Sequence, residues 1–282
     1  MSNPAIEEYG WTAVPVDLQT LLSQSPTASA PAKPISVSSI VLPSSELAVA
    51  VQQYAKKELP IETFNHSMRV FYYGEHAPDV GGRKRGEGWM GEPGRRQEAH
   101  RKTETDLRCA KTGKAILAHA FPTWSTPSFD ETYLLTSLLH DIGTTDTNMK
   151  STLLSFEFHG GMLALDVLST LHAPKAQAEN VAEAVIRHQD LGSVGKITRI
   201  GALVQLATIF DNMGENPALV HRETIEAVVG MFPRRGWSGC FAETIRRENG
   251  LKPWAHTTHL GEEDFPEGVK GNKLMAPWDG LY

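Results

Sequence analysis

Two histidines and two aspartates, far apart in a chain of 282 residues, stand where charged groups are costly. His66 lies in "FNHSMRV", His140 and Asp141 in "LLHDIG", and Asp211 in "TIFDNMG". His188, in "VIRHQD", is a fifth such group. Each sits in an apolar run with helical spacing. Around the His-Asp pair, Leu135, Leu138, Leu139 and Ile142 fall at i, i+3, i+4 and i+7. An unpaired buried charge is strongly disfavoured. Several such groups on separate core helices are best reconciled if they converge on one another or on a cation. Imidazole and carboxylate are standard ligands for a first-row divalent metal. Taken singly, each has a plainer reading. His188 alone fits a core histidine bonded to a backbone carbonyl, Asp211 could pair with Arg187 or Arg199, and His66 could lie on a helix surface. The order His, His-Asp, Asp on separate apolar helices is what makes the set informative.

The elements that would position these residues read as helices. "SSELAVAVQQYAKKEL" carries Leu47, Val51 and Tyr54 on one stripe, with Ser45 as its cap. "PIETFNHSMRVFYYG" follows, then residues 130–142, about 156–171 and about 175–188. "ITRIGALVQLATIFDNMG" is nearly all apolar and therefore central. "RETIEAVVGMF" and "GCFAETIRRE" complete the series, and the tail from Lys252 reads as loop. No strand alternation and no internal repeat stand out, so the fold class is all-α.

Composition excludes several functions. Net charge is −6, which gives no general case for nucleic acid or an anionic membrane. No apolar window reaches the roughly 18 residues of a membrane span, and "MSNPAIEEYGW" lacks the pattern of a signal peptide. Two cysteines, Cys109 and Cys240, make no disulfide framework, so a reducing, cytoplasmic setting is expected.

One stretch departs from the helical order. Residues 75–112 hold sixteen charged residues in 38, nine basic and seven acidic, and interrupt a pattern that resumes at "GKAILAHAF". Such a composition reads as a disordered insertion, the alternative being a binding loop for an acidic partner. Joining Gly74 to Lys114 gives "MRVFYYGKAILAHAF", one continuous amphipathic stretch.

The order His…His-Asp…Asp resembles that of HD-domain metal proteins, whose fold is a helical bundle. The resemblance is closer to one branch, the fungal cyanamide hydratases. It is carried by "NHSMRVFYYG", "LLHDIGTT", "SFEFHGG", "EAVIRHQDLG", "QLATIFDNMG", "FPRRGW", "KPWAHTTHL" and "NKLMAPW". It begins near "GWTAVPV" and runs almost to the C-terminus, apart from residues 75–112. It implies an HD-domain helical bundle as a single domain. An extended lead-in spans 1–43, a helical domain 44–260 interrupted at 75–112, and a tail 261–282 packs on it. It implies His66, His140, Asp141 and Asp211 as metal ligands. Zn2+ is the implied metal, with Fe2+ or another divalent first-row ion as second choice. The implied reaction is hydration of cyanamide to urea, a metal-activated water adding to the nitrile carbon. His188, His159 and Thr144 then sit near the substrate. His188 is the first choice and His159 the second for the proton that the nitrile nitrogen takes up. The implied partner is this small molecule, with no nucleic acid and no membrane; a homodimer is left open.

Three rival readings remain on sequence grounds. His256 and His259, in "HTTH", have the spacing of a metal pair, although Pro253 and Gly261 around them favour a pocket wall or lid. A phosphohydrolase acting on a nucleotide monophosphate would need cations aimed at phosphate. After the His-Asp pair no Lys or Arg appears before Lys150, which leaves Arg187 for that role. A metal-binding module without turnover is the third.

Overall fold

The computed structural model describes residues 3–74 and 115–280; the expected insertion at 75–112 lies outside the described residues. The elements run α1 (Ala5–Glu8), β1 (Ala13–Pro15), α2 (Leu18–Ser23), α3 (Glu46–Glu58), α4 (Ile61–Gly74), α5 (Ala115–Ala120) and α6 (Pro127–Leu139). They continue with α7 (Asp146–Lys150), α8 (Phe156–Thr170), α9 (Lys175–Arg187), β2 (Lys196–Thr198) and α10 (Arg199–Met213). Last come α11 (Arg222–Met231), α12 (Trp237–Leu251), α13 (Asp264–Lys270) and α14 (Ala276–Asp279). The described chain is mostly helical.

Local chemistry sets where the helices begin. Ser45 accepts from the backbone N–H of Ala48 and opens α3, as expected. Thr126 does the same for α6, whose first residue is Pro127, where a missing N–H has no consequence. Thr198 caps α10, and Gly214, at φ +72°, ends it in the left-handed conformation. In α4 every residue from Thr63 to Gly74 is buried, and α10 is buried along almost its whole length. These two helices therefore run through the middle, with α6 packed against both and α9 packed against α6 and α10. The main core joins α3, α4, α5, α6, α9, α10 and α11. A smaller cluster of Phe156, Trp237, Phe241, Ile245, Phe265 and Val269 holds α12 and α13 over the start of α8.

Two close backbone approaches position α8. A Cβ on Gly161 would lie 2.4 Å from Ile186 Cγ1, so the glycine lets α8 press against α9. A Cβ on Gly143 would lie 2.1 Å from the carbonyl oxygen of Phe156, so the turn after the His-Asp pair touches the backbone of α8 directly.

Two regions differ from the sequence reading. The lead-in is not merely extended. It carries α2, capped by Asp17, and β1, which pairs antiparallel with β2 in the register Ala13 to Thr198, Val14 to Ile197 and Pro15 to Lys196. With three residues each, these strands are too short to show alternation. The tail is not all loop, since α13 and α14 lie in it. No helix among the described residues is long and apolar enough to cross a membrane.

Candidate metal centre

His66 sits mid-way along α4 and is fully buried. His140 is the residue on which α6 ends, and its N–H still bonds to Thr136. The backbone leaves the helix at Asp141 and tightens into a short 3-10 turn, Ile142–Thr144. The helix terminus is what turns both side chains of the pair inward. His188 ends α9 in the same way, and Asp211 lies in the last turn of α10.

Three of these groups converge. His66 Nε2 is 3.2 Å from His140 Nε2, His140 Nε2 is 3.3 Å from Asp141 Oδ2, and His66 Nε2 is 3.7 Å from Asp141 Oδ2. His188 Nε2 approaches the other carboxylate oxygen of Asp141 at 3.8 Å. Among the described residues, His66, His140 and Asp141 are the group whose ligand atoms could hold a metal ion.

The proton inventory explains what this cluster needs. His140 Nδ1 lies 2.8 Å from the carbonyl oxygen of Ser137, and His188 Nδ1 lies 2.7 Å from that of Val185. A carbonyl only accepts, so both Nδ1 atoms carry the hydrogen. His66 Nδ1 donates to Asp211 Oδ2 at 2.7 Å. In the neutral rings every Nε2 is thus a bare lone pair, and all three face the carboxylate of Asp141. Neither oxygen of Asp141 has a hydrogen-bond partner, nor has His188 Nε2. Acceptors gathered with no donor among them are what a cation satisfies. Two ligand nitrogens about 2.0–2.1 Å from a tetrahedral zinc lie about 3.3 Å apart, which the His66–His140 separation matches.

The titration shifts divide the cluster: two imidazoles are held neutral, and the third is drawn toward its charged form by Asp141. Burial drives the His66 imidazole down to about 4, against the pull of Asp211. Burial also lowers His188, with His140 beside it adding to the effect. His140 is raised, because Asp141 outweighs the effect of its burial. Asp141, although buried, is held well below the usual carboxylate range by His140 and His66.

Asp211 lies apart from the cluster. Arg69 donates to it through Nε at 3.1 Å and Nη2 at 2.9 Å, and Arg234 Nη1 reaches Oδ1 at 2.7 Å. Burial alone would raise this carboxyl; the two guanidinium groups hold it far below its ordinary range. Arg234 is itself tied to Asp279 at 2.7 Å, and Trp237 stacks on His66 with ring centres 4.3 Å apart. These supporting residues were not singled out from sequence. Arg69 lies three residues after His66, one turn along the same helix, and Arg234 lies in the quoted "FPRRGW".

A narrow pocket lies beside the cluster, lined by His140, Asp141 and His188 together with the apolar Leu191, Ile209, Phe241 and Phe265. Gln189, Thr208 and Asn212 also line it. Thr144 and His159 do not. Thr144 Oγ1 donates to the carbonyl of Asp141 at 2.7 Å and so fastens the backbone of the pair. His159 is half-buried on α8, its imidazole lowered by burial and by Lys252. His256 and His259 occupy a 3-10 turn, His256–Leu260. His256 there lies between Glu157 at 3.4 Å and Asp190 at 3.2 Å.

Comparison with known proteins gives the family. No family model matches the chain. It is 36% identical over 265 residues to cyanamide hydratase DDI2 and, equally, to cyanamide hydratase DDI3, both of Saccharomyces cerevisiae. The matched region covers 94% of this chain and 96% of each relative. The chain belongs to the cyanamide hydratase family. The cluster in this family member joins His66 of α4 to two side chains at the C-terminal end of α6, more than seventy residues further along the sequence.

Proposed function

We propose that this chain hydrates cyanamide to urea at a single divalent metal, zinc in the first instance, within an HD-type helical bundle. The observation that carries the reading is the convergence of His66, His140 and Asp141 with no donor between them, in a chain 36% identical to two cyanamide hydratases. When bound, such a metal supplies Lewis acidity and a water that ionises near neutral pH.

The residues divide the work as follows. His66, His140 and Asp141 would hold the metal, three protein ligands being the number typical of catalytic zinc sites. Asp211 acts through His66: its carboxylate fixes the Nδ1–H tautomer and the ring's direction. This reading replaces direct ligation by Asp211, whose oxygens are engaged by Arg69 and Arg234. In the reaction, the water oxygen bonds to the nitrile carbon and one C–N π bond breaks. Negative charge grows on the nitrile nitrogen, which takes the water's proton; tautomerisation of the resulting isourea gives urea. His188 Nε2, unpartnered beside Asp141, is the group that holds and hands over this proton. The apolar walls keep bulk water away.

The phosphohydrolase reading is disfavoured by one observation. No Lys or Arg lines the cavity. Arg187 bonds to Asp190 at 2.7 Å and Glu183 at 3.3 Å, on the outer side of α9. The deciding experiment is metal analysis of purified protein with urea release from cyanamide measured beside phosphate release from nucleotide monophosphates. Stoichiometric zinc and urea formation are expected; phosphate release without urea would overturn the reading.

A further inference from the structure

Two primary amides line the cavity beside the metal cluster, Asn212 and Gln189, each only 5% exposed. Neither has a part in the scheme above. A buried amide is ambiguous until its partners are counted, because its two ends differ only in hydrogens. Here the partners decide both.

Asn212 Oδ1 accepts from Trp237 Nε1 at 2.7 Å. An indole nitrogen is only ever a donor, so the oxygen of Asn212 is fixed on Trp237. Its Nδ2 has no partner among the described residues and is the end left for the cavity. Gln189 meets the 3-10 turn that carries "HTTH". Its Oε1 lies 3.1 Å from Thr257 Oγ1, and that hydroxyl lies 2.7 Å from Glu157 Oε1. A hydroxyl has one proton, and the shorter contact, to Glu157, takes it. The remaining contact needs a hydrogen from Gln189, which an amide flip supplies: Nε2 turns to Thr257, and Oε1 turns to the cavity.

We propose that Asn212 Nδ2 and Gln189 Oε1 are a donor–acceptor pair that orients the substrate. Asn212 donates to the nitrile nitrogen, and Gln189 accepts from the amino group. The inference rests on the cyanamide reading and deepens it. Cyanamide has an acceptor at one end and a donor at the other, and the two amides present the complements. The Asn212 donor meets charge that grows only as the water adds, so it acts mainly on kcat. The Gln189 acceptor meets an amino group that is present throughout, so it acts mainly on KM. "HTTH" thereby gains a role: Thr257 and Glu157 fix which end of Gln189 the substrate meets.

The test uses Asn212→Asp and Gln189→Met in the full chain, with metal content measured on both. Asn212→Asp keeps the oxygen held by Trp237 and removes the donor. Gln189→Met keeps length and removes the acceptor. The readouts are kcat and KM for cyanamide and the inhibition constant of acetonitrile, which has a methyl where cyanamide has its amino group. Asn212→Asp is expected to lower kcat about 10²–10³-fold, as for loss of one donor to a developing negative charge. Gln189→Met is expected to raise the KM for cyanamide about tenfold, the effect of one hydrogen bond, with acetonitrile unchanged. Should the new charge of Asn212→Asp displace metal, Asn212→Ala carries the same expectation. A kcat within about threefold of wild type for the Asn212 variant overturns the donor assignment. Equal shifts for cyanamide and acetonitrile in Gln189→Met overturn the acceptor assignment. Wild-type protein with full metal and no urea formation overturns the cyanamide reading itself, and the orientation with it.

Discussion

His66 and His140 face one another Nε2 to Nε2 at 3.2 Å, and each has its other ring nitrogen committed as a donor, to Asp211 and to Ser137. Two lone pairs at that distance repel unless a cation or a proton lies between them. Removing His140 should therefore remove the reason for the arrangement. His140→Ala is expected to lose its metal and most activity, with Asp141 left uncompensated. Elemental analysis checks this, and full metal content in the variant would sink the ligand assignment. Chelation of wild-type protein should lower its thermal midpoint, because a ligand at about 100 times its Kd contributes about 2.7 kcal/mol.

His188 projects toward the same carboxylate from a different helix, with Nε2 at 3.8 Å and unpartnered. As the proton-carrying group it lies outside the ligand set, so His188→Ala should keep the metal. Urea formation should slow about 10²–10⁴-fold, the usual effect of losing a general acid–base group. Loss of metal from this variant would instead make His188 a ligand.

Asp211 supports His66 while bridging two buried arginines. Asp211→Asn keeps an acceptor for His66 Nδ1 but drops the charge. Metal affinity is expected to fall about 10–100-fold, as for other partners of ligating histidines. Asp211→Ala should be worse for folding, about 3–5 kcal/mol, because Arg69 is left buried without a carboxylate partner among the described residues and Arg234 keeps only Asp279. A competition titration with a chelating dye reads the first effect and denaturant unfolding the second. Asp211→Asn with wild-type affinity would show that the carboxylate plays no part in holding the metal.

Much of this centre was legible in the sequence, for a physical reason. A titratable pair inside the stripe Leu135, Leu138, Leu139, Ile142 cannot be solvated, so His140 and Asp141 had to find partners. The side on which Asp211 is satisfied was not legible. Its partner Arg234 comes from the turn before α12, and a fully buried arginine runs against the usual exposure of that residue. Helices in the tail were obscured by breakers. Pro266 and Gly268 in "DFPEGVK" read as loop, yet Pro266 falls in the first turn of α13, where its absent N–H is not missed. The amide ends of Gln189 and Asn212 depend on Thr257 and Trp237, contacts that no sequence period encodes.

Gly143 follows the His-Asp pair by two residues and lies against the carbonyl of Phe156. A methyl there would come within 2.1 Å of that oxygen, and backbone cannot swing aside as a side chain does. Gly143→Ala should push the turn from α8 and move Asp141 relative to His188, and shifts of about 1 Å are enough to harm catalysis. The expected outcome is a lower thermal midpoint with reduced urea formation. Unchanged values for both would mean that the turn is more compliant than its packing indicates.

Glu248 gives a pH signature separate from the metal ligands. It is fully buried on α12, accepts from the N–H of Phe156 at 2.7 Å and lies 3.4 Å from Lys252 Nζ. Burial first, and the nearby Glu157 second, push its carboxyl up to about 7 from the 4.5 of an unperturbed glutamate. Folding therefore favours the protonated form. The associated stability is fully present below the unfolded value and is lost as pH rises through the folded one. The thermal midpoint should fall between about pH 5 and about pH 8 through this group. Glu248→Gln keeps an acceptor for Phe156 and cannot ionise, so its midpoint should fall less steeply over that window. The comparison is made at saturating metal, so that titration of the ligands affects both proteins alike. Parallel pH profiles for wild type and Glu248→Gln would show that Glu248 is already ionised in the folded chain, its charge met by Lys252.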